Sequence, residues 1–332
     1  MMKRICLVVL AFALVANIFV GCTQQVAPQV RTKALEKITV VLDWPANTNH
    51  TGIYVAKELG FYKEVGLDLE FKQAPDGDPL PMLAAGKGAF GVSSQEMLAM
   101  ALSANEPLKV KAVAALIQHN TSGIISLKKS NIKSPKDLEG KRYAAWGMPI
   151  EKALLATILA KDGGDSSKIK MIPNPVTDLF AALNTNIDAV WVYYGWDGIS
   201  AEIKKLDFNY FDLKSFAPEL DYFTPFLAAS DEYLAKNPEQ AKKFLAATAR
   251  GYEYAIANPQ AAAKILEKFA PDTDKQIILK SQEYLALQYK AEVIKWGQFD
   301  EARWSKFHSW LFANKVTPKD IGAAGFTNEY LP

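Results

Sequence analysis

Cysteine is almost missing from this chain: Cys6 and Cys22 are the only two in 332 residues. Cages of four thiolates for zinc or an iron–sulfur cluster are therefore excluded, and so is a disulfide-stapled scaffold. Histidine is nearly as scarce. His50, His119 and His308 are the three present, and no H-E-x-x-H pair sets two of them on one helix face for zinc. The nucleophile elbow G-x-S-x-G does not occur, and Gly86-Lys87-Gly88 lacks the spacing of a phosphate-binding loop. Paired carboxylates stay open, since any two can meet in a fold. Otherwise no catalytic residue, metal site or cofactor is expected. Charge of one sign is also missing: 38 basic and 36 acidic residues are interspersed, with no basic stripe or arginine-rich tract. A nucleic-acid partner is accordingly not expected. After Val20 there is no second long apolar run, no internal repeat and no low-complexity tract. With 49% apolar residues, the remainder reads as a soluble globular body.

The amino-terminal segment carries an address. Met1-Met2-Lys3-Arg4 is a positive start, and Ile5 to Val20 is almost unbroken apolar. That run falls short of the roughly 20 residues a comfortable membrane span requires, and suits a secretory signal. Gly21-Cys22 follows at once, which resembles the lipobox of bacterial lipoproteins, although Phe19 stands where leucine is more usual. Residues 1–21 are expected to be a signal peptide, with Cys22 as the lipidated residue and 22–35 as a flexible tether. The protein would then be exported and lipid-anchored on the outer face of the cell membrane, or periplasmic where an outer membrane exists. Losing Cys6 would leave one thiol, so no disulfide could form within the mature chain.

The body alternates β-type runs with amphipathic helices. Strands are expected at Lys37–Asp43, Leu67–Phe71, Phe90–Val92, Ile124–Leu127, Arg142–Ala145, Ile169–Ile172 and Ala189–Tyr193. Helices are expected at His50–Leu59, Pro79–Ala85 and Ser94–Ser103, and in a segment that Ser134-Pro135 opens and Gly140 closes. This alternation predicts an α/β fold with mainly parallel sheets. After about Pro225 the character changes to consecutive helices, with Asn237-Pro238 and Asn258-Pro259 as starts.

Three aromatic loops each follow a predicted strand: Asp43 to His50, Ala145 to Glu151, and Trp191 to Asp197. Together they hold four of the seven tryptophans. In open α/β sheets ligands bind beyond the carboxyl ends of the strands. Trp44, Trp146 and Trp196 could stack on a flat ring, with Pro149, Tyr193 and Tyr194 beside them. Asp43, Asn47, His50, Glu151 and Asp197 could read ring nitrogens and amino groups. Ser94, in Ser93-Ser94-Gln95, stands at a helix start that would suit an anion. Plainer readings compete. Trp191 and Tyr193 alternate on a strand, so one of them is expected to face the core. Asp43 fits a cap, His50 an ordinary helix-start residue and Ser94 a simple N-cap.

The segment Leu42–Phe71 (LDWPANTNHTGIYVAKELGFYKEVGLDLEF) is similar to the opening signature of the NMT1/THI5-like periplasmic binding proteins, solute receptors of ABC importers. Similarity continues through Leu83 to Lys87, Lys133 to Gly140, Trp146 to Pro149, Asp188 to Val190 and Thr327 to Leu331. The resemblance implies the type II periplasmic-binding-protein fold: two lobes joined by two crossover strands, with a ligand cleft between them. Mapped onto this chain, lobe one is 36–122 plus 226–332 and lobe two is 123–225. It also implies an ABC permease and its ATPase as partners; a monomer is expected.

Within the family the likeness is to receptors for the thiamin pyrimidine. The three loops contain no arginine or lysine, which favours an aminopyrimidine over nitrate or sulfonate. Riboflavin or another flat vitamin, and an alkanesulfonate such as taurine, are the alternatives. The family's fungal branch makes the pyrimidine from an active-site histidine, whose position His50 matches. Its cysteine-rich iron motif has no counterpart here, so a non-enzymatic receptor is expected.

Overall fold

The computed structural model describes residues 34–173 and 179–332. The expected signal peptide, Cys22 and nearly all of the tether lie outside them. The chain begins with β1 (Glu36–Leu42), α1 (Thr51–Glu58), the single turn α2 (Phe61–Glu64), β2 (Leu67–Gln73) and α3 (Leu80–Ala84). It continues with β3 (Phe90–Ser93), α4 (Gln95–Ser103) and β4 (Val110–Ala115). A second run follows: β5 (Ser122–Leu127), β6 (Arg142–Ala145), α5 (Ile150–Lys161), β7 (Lys170–Pro173) and α6 (Leu179–Thr185). It closes with β8 (Ala189–Tyr193), α7 (Ile199–Ile203) and β9 (Phe208–Asp212). Then come β10 (Phe226–Ser230), α8 (Asp231–Lys236), α9 (Pro238–Ala257), α10 (Pro259–Leu266), α11 (Lys275–Ala286) and α12 (Glu301–Ala313).

The strands form two five-stranded sheets of matching topology, β2-β1-β3-β10-β4 and β7-β6-β8-β5-β9. In the first, β1 pairs parallel with β2 and β3, while β10 runs antiparallel between β3 and β4. In the second, β6 pairs parallel with β7 and β8, while β5 runs antiparallel between β8 and β9. The antiparallel strand of each sheet is the one that arrives from the other sheet. The chain leaves β4 to enter β5 and leaves β9 to enter β10. Both passages therefore start and finish at the carboxyl ends of the parallel strands. The two crossovers are clasped together: Asn120 donates its backbone N–H to Asp221 (3.1 Å) and its side-chain amide to the Leu220 carbonyl (2.8 Å).

Each sheet is covered by helices, as a mainly parallel sheet requires. Phe90 of β3 stacks on Phe244 of α9 with ring centroids 3.9 Å apart, in a core with Val40, Ile53 and Tyr252. Helices α1 and α9 approach closely because Gly52 and Gly251 leave room; a Cβ on Gly251 would stand 2.0 Å from the Gly52 carbonyl oxygen. The second core gathers Tyr143, Leu154, Ile158 and Trp191. Helix α12 reaches into this second core with Phe307, Trp310 and Leu311, and Trp310 donates to the Thr157 hydroxyl at 3.1 Å. Among the described residues no helix is long and apolar enough to cross a membrane.

Three departures from expectation have physical causes. The segment opened by Ser134-Pro135 is only the 3-10 turn Pro135–Leu138, because Gly140 in the left-handed region stops it within a turn. Asn237 and Asn258 do not cap the helices they precede; their amides donate back to the carbonyls of Tyr233 and Tyr254, closing the preceding helices. The chain after Pro225 opens with β10 before it turns helical.

Candidate functional site

The three aromatic loops all emerge from carboxyl strand ends beside the crossovers. The first leaves β1. Asn47 caps a 3-10 turn at Thr48–His50: its side-chain oxygen accepts from the Asn49 N–H at 2.8 Å, and its own N–H donates to His50 Nδ1 at 3.4 Å. With Nδ1 accepting, the proton sits on Nε2, which donates to Asp43 at 2.9 Å. The His50 ring is fully buried and both nitrogens are engaged, so it fixes the Asp43 carboxylate, which is partly exposed. Asn47 is likewise buried, with its amide turned back to the Pro45 carbonyl at 3.0 Å. Trp44 stands out at 64% exposure.

The second loop leaves β6 and is organised by one carboxylate. Glu151 is buried in the first turn of α5 and accepts from the backbone N–H of Trp146 (3.0 Å) and of Met148 (3.1 Å), and from the Tyr143 hydroxyl (3.2 Å). The Trp146 indole N–H donates to the Trp191 carbonyl at 2.9 Å, which ties the loop to β8 and leaves the ring 43% exposed. Pro149 is exposed at the helix start.

The third loop leaves β8 as a π-helical turn, Tyr194–Gly198, a local geometry often found at functional sites. Trp191 and Tyr193 are two residues apart and so share a face. Trp191 packs in the core, while Tyr193, at the strand's end, is 36% exposed. The Tyr194 hydroxyl donates to Glu202, and its ring packs on Tyr210 and Tyr284. Trp196 is half-buried. Asp197 is also partly buried, and desolvation pushes its carboxyl up to about 6.

Contacts bring the loops together. Ser281 of α11 donates to the Gly195 carbonyl and lies 2.6 Å from the Thr48 hydroxyl, so one serine joins the first loop to the third. Gly195 has no room for a side chain: a Cβ would stand 2.9 Å from Leu285. Tyr193 is the meeting point. Its phenol pKa is raised, first by desolvation and then by the charges of Glu96 and Asp43, and the Thr224 and Tyr222 side chains adjoin it. Ser94 begins α4 without a side-chain cap bond, and the Ser93 and Ser94 hydroxyls are buried without partners.

Glu96, Tyr222, Thr224 and Ser281 escape the sequence reading. Glu96 looks like an ordinary acid in a helix's first turn, and the others meet the loops only through the fold. Two recesses of about 760 and 310 Å³, lined in part by Lys37, Lys72 and Tyr233 and by Lys264 and Thr273, include no residue of the aromatic loops. Among the described residues no group of three His, Cys, Asp or Glu side chains is placed to hold a metal ion.

Chemically, the junction offers accessible aromatic faces and oriented carboxyl groups, and the three loops supply no cation. A family model described as NMT1/THI5 like matches residues 47–262. A formylaminopyrimidine-binding protein of Halalkalibacterium halodurans is 28% identical over 294 residues, covering 85% of this chain and 86% of that protein. The 4-amino-5-hydroxymethyl-2-methylpyrimidine phosphate synthase of Saccharomyces cerevisiae is 24% identical over 317 residues, covering 89% and 88%. Among solved structures, the periplasmic aliphatic sulphonate binding protein of Escherichia coli matches with a TM-score of 0.67 at 17% identity. That match covers 87% of this chain and 96% of the other, and shows the periplasmic-binding-protein fold.

Proposed function

The chain belongs to the NMT1/THI5-like family, and from that premise we propose that it is the extracytoplasmic solute-binding component of an ABC importer. Its ligand is an aminopyrimidine of the thiamin-precursor type, held between the carboxyl ends of the two sheets. The observation that carries this reading is the convergence on Tyr193. There Asp43 and Glu96 act on one accessible aromatic side chain, and Trp44 and Trp146, in the loops that leave β1 and β6, are exposed as well. A flat ring with amino donors suits such a set, since the rings supply stacking and the carboxylates accept. A sulfonate would call for arginine, lysine or free helix N–H groups instead. The relative from H. halodurans, named for binding a formylaminopyrimidine, supports the same class.

We place lobe one at 36–122 plus 226–332 and lobe two at 123–225, with the β4–β5 and β9–β10 passages as the hinge between them. Closure around solute is then the functional motion. Lipid on Cys22 and the 22–35 tether would hold the receptor near its permease and raise its effective concentration there. The yeast relative raises a synthase reading. Against it stands His50, buried with both ring nitrogens engaged and so unavailable as a reactant. Thermal-shift screening of the purified protein against aminopyrimidines, flavins and alkanesulfonates tests the assignment. Stabilisation by aminopyrimidines is expected, and a response to sulfonates alone would overturn it.

A further inference from the structure

A carboxylate oxygen buried without a partner is among the most costly features a fold can keep. Glu96 has one. It is 2% exposed in the first turn of α4, and its Oε2 has no hydrogen-bond partner. The hydroxyls of Tyr222, Ser93 and Ser94 are buried as well; Ser94 stands near enough to act on the Glu96 carboxyl and Tyr222 near enough to act on Tyr193, but none makes a well-aligned hydrogen bond. A helix acid that merely complements the dipole sits in water, where its charge costs nothing. These four residues instead gather where β3 ends and the second crossover returns, since Ser93 pairs with Phe226 just beyond Tyr222. The phenols of Tyr193 and Tyr222 both feel the Glu96 charge, and Tyr193 feels Asp43 too. Buried polar groups are almost always paired, so a cluster of orphans points to a molecule that brings its own donors.

We propose that Glu96 is the specificity-determining acceptor of the cleft: its carboxylate takes an N–H from the ligand's amino group or protonated ring edge, and its charge turns away sulfonates and other anions. This rests on the reading of the cleft as the ligand site. Burial lifts the Glu96 carboxyl to about 7 against the smaller opposing pull of its own backbone N–H and the Ser94 hydroxyl, and no cation is among the groups acting on it. A donor on the ligand is what would settle it as a carboxylate. Because Oε2 is closed to solvent, contact requires a neighbour to turn aside. Tyr193, exposed at a strand end and within reach of the Glu96 charge, is the side chain that would move, giving up its contacts with Thr224 and Tyr222.

Isothermal titration of the purified protein with 4-amino-2,5-dimethylpyrimidine, 2,5-dimethylpyrimidine and ethanesulfonate tests this, on wild type and Glu96→Leu. The wild type should prefer the amino compound by about tenfold or more, because a site built around a donor leaves its acceptor unpaired with the analogue. Glu96→Leu should lose that preference while holding 2,5-dimethylpyrimidine as before. The variant removes an unpaired buried charge, so its unliganded melting temperature at pH 8 should equal or exceed that of wild type, which separates lost binding from lost folding. If wild type and Glu96→Leu bind the amino compound equally, Glu96 is not the acceptor and the receptor reading stands. Equal weakening for both pyrimidines would reduce Glu96 to a shape-giving role and overturn the proposal. If the wild type binds ethanesulfonate and neither pyrimidine, the proposal and the receptor reading fall together.

Discussion

Replacing Glu151 by alanine should loosen the second aromatic loop and destabilise the protein by an amount that can be worked out bond by bond. The carboxylate accepts three hydrogen bonds, from Trp146 N–H, Met148 N–H and the Tyr143 hydroxyl. These lose their partner differently. The two backbone donors belong to a loop whose Trp146 is exposed, so water can replace the carboxylate at little cost. Tyr143 is fully buried, and its hydroxyl would be left unsatisfied at a cost of about 1–3 kcal/mol. Adding the space vacated by the side chain, the total should be about 2–4 kcal/mol.

Glu151→Gln keeps one acceptor oxygen but turns an amide donor toward the Met148 N–H, so about 1–2 kcal/mol is expected. Urea denaturation followed by circular dichroism gives both values. The mechanism is tested by the background: in Tyr143→Phe the stranded donor is gone, and Glu151→Ala should cost about 1–2 kcal/mol less. An alanine variant within about 0.5 kcal/mol of wild type, or an equal cost in both backgrounds, would refute the claim that this carboxylate holds the loop.

Other perturbations probe the scaffold and the cleft. Gly251→Ala puts a Cβ 2.0 Å from the Gly52 carbonyl oxygen, so α1 and α9 must part. A loss at or above the top of the usual range of about 1–3 kcal/mol for overpacking is expected in a chemical melt. His308 is buried and donates from Nδ1 to the Gly322 carbonyl, and desolvation lowers its pKa from 6.5 to about 4. A folded pKa below the unfolded one means that its stabilisation is present above pH 6.5 and is lost as pH falls toward 4. The loss should approach about 3 kcal/mol, and His308→Gln should flatten that limb of the stability–pH curve. Trp146→Ala removes both an exposed ring and the bond to the Trp191 carbonyl. Calorimetry should show an aminopyrimidine bound about 1–3 kcal/mol more weakly if the base stacks there, and unchanged affinity would take Trp146 out of the site.

Legibility in the sequence followed side-chain chemistry closely. β1, β6 and β8 could be placed to within a residue or two, because Ile-Thr-Val-Val or a short apolar run ended at a loop with turn residues. β4 (VKAVAA) and β10 (FLAAS) could not, since alanine is depleted in strands and carries little β signal. The pairing of β10 with β3 on one side and with β4 on the other is what makes them strands. Asn237 and Asn258 show a related limit: the Asn-Pro pattern names a helix boundary correctly, but only three dimensions reveal which helix the amide serves. In the site, the aromatic loops were visible as a local excess of tryptophan after strands. Ser281 was not, because it meets Thr48 across 233 positions of sequence.

The carboxylates show why composition alone could not assign roles. Asp43, Glu151 and Asp197 stand in equivalent places, each in a loop after a strand, and in sequence each is an equal candidate to read a ligand. The fold separates them by what already occupies their oxygens. Glu151 is committed to its own loop, Asp43 is held by His50, and Asp197 keeps a carboxyl lifted toward neutrality. Glu96, which no loop motif marks, keeps a buried oxygen lacking a partner, and its charge acts on the Tyr193 phenol. Aromatic faces make a site that many flat molecules can enter. The sign and number of unsatisfied polar atoms beside those faces decide which of them stays; around Glu96 they are carboxyl and hydroxyl oxygens, while the Trp191 indole N–H is also without a partner. On the proposal that Glu96 is the acceptor, its carboxylate would favour a ligand carrying N–H donors and would discriminate against sulfonates more strongly than the tryptophan faces, which stack on any flat ring.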